Sequence, residues 1–218
     1  DDYWIDGRKL QRQFDFLETH PDFSAVGCDS EVIYEDAEMP PEKFSKFLDK
    51  ELDKKDLTQI KIFQTSTFFF RKDILKEGFP TEIISADRCL FLLAGCFGKV
   101  KVLPQTMAAY RQFQASISKN VSYETMKKDF AIIPYIEKFG RNYRSGQLKA
   151  YFYYTLMTYP TKISKLKFAM AAAGYLFNNV LAKFTPHPLK MYSAVKWTLF
   201  TIRQKYRMRK VNRSFVTQ

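Results

Sequence analysis

The reading of the fold turns on Asp1-Asp2-Tyr3-Trp4, followed by Lys9-Leu10-Gln11-Arg12-Gln13-Phe14-Asp15-Phe16-Leu17-Glu18 and then by Thr19-His20-Pro21-Asp22-Phe23-Ser24. Leu10, Phe14 and Leu17 recur at spacings of four and three, which predicts a helix over 6–20 with those residues on its buried face. Pro21 ends it, because the proline ring cannot continue a helical ladder. Paired carboxylates running into aromatics suit a divalent cation and a phosphate, since hard cations prefer oxygen ligands. Read without context, Asp1-Asp2 serves equally as a solvated acidic end.

Further along, Ser24 to Tyr34 carries two short strand-like runs around Asp29-Ser30. The lysine-rich, acidic stretch from Asp36 to Leu57 reads as a solvated excursion, with a helix-like segment opening at Pro40-Pro41 and running through Phe44, Phe47 and Leu48. Ile62 to Phe70 is β-rich and includes Thr65-Ser66-Thr67. A short helix is expected over 71–75. Asp87 opens a strongly apolar helix that Gly98 stops. Lys99 to Leu103 alternates like a strand, and a second extended piece follows from Pro104 to Arg111. Ser122 to Phe139 reads as a helix interrupted at Pro134.

Several of these pieces, in this order and spacing, resemble the family 2 glycosyltransferases with the GT-A fold, especially bacterial polysaccharide enzymes. The acidic opening and the Lys-Leu helix carry the first part. Thr65-Ser66-Thr67-Phe68-Phe69-Phe70-Arg71 carries the second, and Ser85-Ala86-Asp87-Arg88 with its apolar helix the third. Gly98 to Leu103 with Met107-Ala108-Ala109-Tyr110-Arg111 carries the fourth. The resemblance covers about 1–139. It implies an α/β fold: the second half of a GT-A domain over 1–144, whose nucleotide-binding strands would precede the acidic motif.

In an inverting transfer of this kind, a base takes the proton of the acceptor hydroxyl and charge stabilisation helps the nucleoside diphosphate leave. The resemblance implies Asp87 as that base, Asp1 and Asp2 as ligands of Mg²⁺ or Mn²⁺, Trp4 as a wall of the acceptor pocket, and Arg111 and Gln112 as substrate contacts. It implies a nucleoside-diphosphate sugar as donor and a glycan or lipid-linked glycan as acceptor. On the residues alone, Asp87 is equally a helix cap and Trp4 equally a core residue. Phe113 stands where the family usually has histidine, which removes a potential metal or diphosphate ligand.

Charge divides the chain independently of any resemblance. Residues 145–218 hold 13 Lys and Arg and no Asp or Glu, whereas 1–144 hold 22 basic and 23 acidic residues. The second part reads as an all-helical, basic, amphipathic extension: helices over 147–159, 162–184 and 188–213, separated by Pro160 and by Pro186-His187-Pro188. Its longest uncharged run, Phe168 to Ala182, has 15 residues. That is short of the ~20 needed to span a bilayer. Lys and Arg against Phe, Tyr, Leu and Trp197 fit an anionic membrane surface, and no nucleic-acid-binding fold accompanies the charge. Three cysteines without CxxC spacing read as reduced thiols, and two distant histidines argue against a zinc site or a serine–histidine triad. These features place the protein in the cytoplasm, peripheral on the inner face of the plasma membrane. A non-catalytic, membrane-binding remnant of an enzyme fold is the alternative.

Overall fold

The computed structural model describes residues 2–35, 40–112, 121–140, 143–160, 162–182 and 188–214. The chain divides into two compact units, one formed by 1–117 with 134–142, the other by 118–133 with 143–218. The expected division lay at 144/145; here 118–133 groups with 143–218.

The first unit is a mixed α/β structure around a six-stranded sheet. Its two long strands, β2 (Phe23–Tyr34) and β6 (Lys99–Gln112), run parallel along their whole length, from Phe23 opposite Lys99 to Tyr34 opposite Gln112. Four short antiparallel strands complete the sheet. β1 (Tyr3–Trp4) and β4 (Lys50–Leu52) lie on the outer edge of β6, and β3 (Glu42–Lys43) and β5 (Phe69–Phe70) on the outer edge of β2. Central, doubly covered strands read as near-continuous apolar runs. Ala25, Val26, Cys28, Val100, Val102, Met107, Ala108 and Ala109 are accordingly all buried.

The sequence breaks expected at Asp29-Ser30 and at Pro104 do not separate strands. Both fall at one irregularity in a continuous parallel pair: Cys28 faces Leu103, and the next residue, Asp29, faces Thr106. The extra residues on β6 include Pro104, which has no N–H for a ladder. Asp29 is buried there and satisfied locally, accepting from Ser45 N at 2.9 Å and from Thr106 Oγ1 at 3.2 Å.

Two further expectations are corrected. The helix over Phe44 to Leu48 does not form; β3 and β4 stand in this region, followed by the short α2 (Lys54–Leu57), whose capping box joins Asp53 and Asp56. Pairing with the two long strands overrides the local helical pattern. The helix α1 (Lys9–Thr19) forms, but with another face inward: Lys9, Gln13 and Leu17 are buried, while Leu10 and Phe14 are exposed.

The helix α3 (Ala86–Phe97) returns the chain from the β2 side of the sheet to β6 through Gly98. A Cβ on Gly98 would lie 2.8 Å from Ser24 N and 2.9 Å from Asp22 O, so only glycine lets the turn sit against the start of β2. In such a crossover the helix runs antiparallel to the strands, which sets its N-terminus toward their C-terminal ends, where open α/β sheets hold their ligands. Under this part of the sheet Phe63, Phe68 and Phe91 pack with ring centroids 4.5–4.9 Å apart. A Cβ on Gly27 would lie 2.8 Å from the Phe63 ring, so the glycine makes room for it.

The second unit is helical among its described residues: α4 (Tyr123–Lys127) with a following 3-10 turn, α6 (Ser145–Thr158), α7 (Lys165–Ala182) and α8 (Pro188–Ser214). The helix α5 (Ile132–Glu137) spans the junction of the two units. Ser122 caps α4 by accepting from Thr125 N at 3.0 Å. Met126, Leu156, Met157, Ile163, Phe168, Ala171 and Ala172 form the core of this unit. Among the described residues no helix is long and apolar enough to cross a membrane.

Candidate functional site

The short strand β1 pairs Tyr3 with Ala109 and Trp4 with Ala108. This register brings Asp2 beside Arg111, whose backbone N–H donates to Asp2 Oδ1 at 3.2 Å. Asp2 and Trp4 thereby reach the C-terminal half of β6. Asp87 lies in the first turn of α3, one residue inside its start.

The 3-10 turn Thr65–Thr67 and the residue before it connect these groups. Gln64 Nε2 donates to Asp2 Oδ2 at 3.2 Å. Thr65 Oγ1 donates to Asp87 Oδ2 at 3.0 Å. Trp4 Nε1 donates to the carbonyl of Ser66 at 3.0 Å. Three successive residues thus hold the acidic residue of the opening motif, its aromatic neighbour and the helix-terminal carboxylate around one turn.

Asp87 is not the capping residue of α3. That position is Ser85, whose side chain makes no cap hydrogen bond, while Asp87 Oδ1 accepts from Arg88 N at 2.8 Å. Its other oxygen is the one Thr65 holds, and the side chain is only partly buried. Trp4 is not a core residue: it is 51% exposed. The Arg111 guanidinium, expected to meet substrate, is paired with Glu35. Glu35 N also donates to the Gln112 carbonyl at 3.0 Å, so Gln112 contributes backbone here. Asp1 and Phe113 lie outside the described residues. Among the described residues no three His, Cys, Asp or Glu side chains cluster as a ready-made metal site.

Arg71, the last residue of the Thr-Ser-Thr motif, is structural. Its guanidinium donates to the Phe23 carbonyl at 2.9 Å and to the Leu17 carbonyl, which fastens the end of α1 to the start of β2.

Gln64 and Glu35 carry no sequence motif, and Lys9 and Gln13 stand in the Lys-Leu helix motif with no role evident from it. Gln13 is fully buried and donates to the carbonyls of Thr67 at 2.7 Å and Val26 at 3.3 Å. Lys9 is 1% exposed, donates to Gln13 Oε1 at 2.8 Å and lies 4.5 Å from the centre of the Trp4 ring. Burial holds the Lys9 amine below its usual range, partly offset by the Cys28 thiol nearby. Burial likewise pushes Cys28 up to about 11. The signal was the i, i+4, i+8 spacing of Lys9, Gln13 and Leu17, which apolar periodicity outweighed.

No protein-family model matches the chain. It is similar to curated mycobacterial proteins that carry no assigned role: Rv1520 of Mycobacterium tuberculosis and Mb1547 of Mycobacterium bovis, both called uncharacterized proteins. Each is 30% identical over 116 residues, 51% of this chain and 32% of the relative. The chain thus matches about a third of the length of these relatives.

Proposed function

We propose that this chain is part of an inverting, family 2-like glycosyltransferase of GT-A fold, which moves a sugar from a nucleoside-diphosphate donor to a surface glycan or lipid-linked glycan. The observation that carries the reading is the convergence of Asp2, Trp4 and Asp87 on the turn at Gln64–Ser66, at the sheet end where open α/β folds hold ligands.

In this reading Asp87 takes the proton of the acceptor hydroxyl as that oxygen bonds to the anomeric carbon of the donor. The bond from that carbon to the diphosphate breaks, and the nucleoside diphosphate leaves with the electron pair. Thr65 aims the Asp87 carboxylate, and the exposed Trp4 indole offers a flat surface for the acceptor. Asp2 supplies exposed carboxylate oxygen, with the side-chain amide of Gln64 beside it. Mg²⁺ and Mn²⁺ take one or two carboxylates and complete their shell with phosphate oxygens and water, and Asp2 would be the ligand here, its oxygens turning from the N–H groups of Gln64 and Arg111. A cation held by Asp2 would supply charge stabilisation for the diphosphate. Calorimetric titration of the intact protein with a nucleoside diphosphate and Mn²⁺ tests the assignment: binding should be weakened at least tenfold by Asp2→Ala. Equal binding by both proteins would remove Asp2 from the site.

The basic unit supports a peripheral seat on an anionic membrane, at the inner face of the plasma membrane. Leu166, Met170 and Phe177 form an exposed apolar stripe along α7 at spacings of four and seven, and Trp197, Leu199, Phe200 and Met208 are exposed on α8. Lys165, Lys196, Arg203 and Arg207 are exposed on the same two helices. Neither helix separates an apolar face sharply from a basic one, so the support is the excess of basic charge beside exposed aromatics, and the same observation favours the alternative of a membrane-binding remnant.

A further inference from the structure

Beneath the turn that carries the site, contacts close into a ring. The Trp4 indole N–H donates to the Ser66 carbonyl at 3.0 Å, and the Lys9 ammonium lies 4.5 Å from the centre of the same indole. Lys9 donates to Gln13 at 2.8 Å, and Gln13 donates to the Thr67 carbonyl at 2.7 Å, one residue beyond Ser66. Lys9 and Gln13 are 1% and 0% exposed, while Trp4 is 51% exposed. Among the described residues no carboxylate lies within ion-pairing distance of the Lys9 amine. The groups facing it are Gln13 from its own helix, the Trp4 ring from β1 and the Cys28 thiol from β2, with Asp29 acting on that thiol. A buried amine without a carboxylate costs stability that an apolar residue of the same size would not.

We propose that Lys9 and Gln13 are positioning residues that hold the Trp4 indole as a fixed platform, and that the free part of this platform stacks against a pyranose ring of the acceptor. The platform stands on the contacts alone, whereas the stacked sugar rests on the transferase reading. Cation–π attraction is strongest where the cation is desolvated, as Lys9 is. A ring held on its face by Lys9 and at its edge by Ser66 loses little freedom when a sugar settles on it, which is how preorganisation improves affinity.

The chain has two tryptophans, so Trp197→Phe leaves Trp4 as its single tryptophan, read at wavelengths where the tyrosines do not absorb. In that background Lys9→Met should weaken the near-ultraviolet circular dichroism band of Trp4 by about half and add fast local depolarisation of its emission, because one of the two contacts that hold the indole is lost. Trp4 emission should also change with pH below the ordinary lysine value, a change that Lys9→Met abolishes. Should Lys9→Met fail to fold, Gln13→Glu serves: a carboxylate beside the amine should move that change to higher pH. In the active protein Lys9→Met should raise the acceptor KM roughly three- to tenfold, with kcat within about twofold and donor binding unchanged. Unaltered Trp4 order in Lys9→Met, or an unshifted pH response in Gln13→Glu, would overturn the platform. A disordered Trp4 with unchanged acceptor KM would overturn the stacked sugar. Absence of any transfer by the parent protein would be a failure of the transferase reading, and the fluorescence result would still decide the platform.

Discussion

The Thr65 hydroxyl donates a 3.0 Å hydrogen bond to Asp87 Oδ2 from a residue twenty-two positions earlier in the chain. The contact joins the Thr-Ser-Thr turn to the start of α3, and it orients the carboxylate proposed to receive the acceptor proton. Thr65→Val keeps the shape and removes the donor. Hydrogen bonds to charged groups contribute about 1.5–3 kcal/mol, and this exposed one belongs at or below the low end. Turnover should therefore fall about three- to tenfold. In a double-mutant cycle the effect should vanish once Asp87 is already asparagine, since the two residues act through one contact. Independent, additive losses would mean that Thr65 acts elsewhere.

Gly98 joins α3 to β6 against backbone atoms of Asp22 and Ser24 that cannot swing aside. Gly98→Ala should lower unfolding stability by about 1–3 kcal/mol, the usual cost of overpacking. Denaturant melts check it. Gly27→Ala meets Cγ and Cβ of Phe63, a buried ring packed against Phe68 and Phe91, and should cost a similar amount.

Cys28 and Cys96 should differ in reactivity. Cys28 is fully buried, with its thiol pushed up to about 11 by burial, and Cys96 is only partly buried. A thiol reagent at pH 8 should label Cys96 first and reach Cys28 only on unfolding, because the thiolate is the reacting form. The same shift has a sign for stability. Between about pH 9 and 11 folded Cys28 keeps a proton that the unfolded chain releases, so its contribution is present below that window and lost across it. Lys9 works the other way: its lowered folded value lets stability rise with pH toward its ordinary 10.5. Comparing wild type with Cys28→Ser isolates the thiol, and the stability difference should move against wild type as pH climbs from 9 to 11.

Vesicles test the basic unit. The full chain should sediment with vesicles containing anionic lipid and be released in part as salt rises, because exposed charge is screened within about 8–10 Å near physiological ionic strength. Trp197, 66% exposed, should shift its emission to the blue on binding, and Phe177→Ser should weaken the salt-resistant part. Equal binding to neutral vesicles would assign the contact to apolar insertion alone, and no binding would remove the membrane from the account.

Much of the α/β framework was legible because its signals are local and strong. The apolar run from Cys89 to Phe97 and the stop at Gly98 define α3, Pro160 follows the end of α6, and Pro188 opens α8. What was not legible depends on pairing at a distance. Phe44 and Phe47 have helical spacing, yet the short strands β3 and β4 in that stretch form because β2 and β6 offer edges. Asp29 and Pro104 look like strand ends until their opposition shows one bulge. Within the site, Asp2, Trp4 and Asp87 were candidates from the sequence, but Gln64 has no motif of its own and matters through contacts across 62 positions. Lys9 and Gln13 were hidden by Leu10 and Phe14, whose apolar spacing pointed to the wrong face of α1.

The central claim is that Asp87 is the base of a glycosyl transfer. The most direct measurement is acceptor-dependent release of nucleoside diphosphate from a sugar donor, with Mn²⁺, by the intact protein and by Asp87→Asn, alongside donor affinity for each. The account predicts release by the parent protein, a fall of roughly 10²- to 10⁴-fold in kcat for the variant and donor binding within about twofold, as loss of a general base requires. Near-native turnover by Asp87→Asn would contradict it.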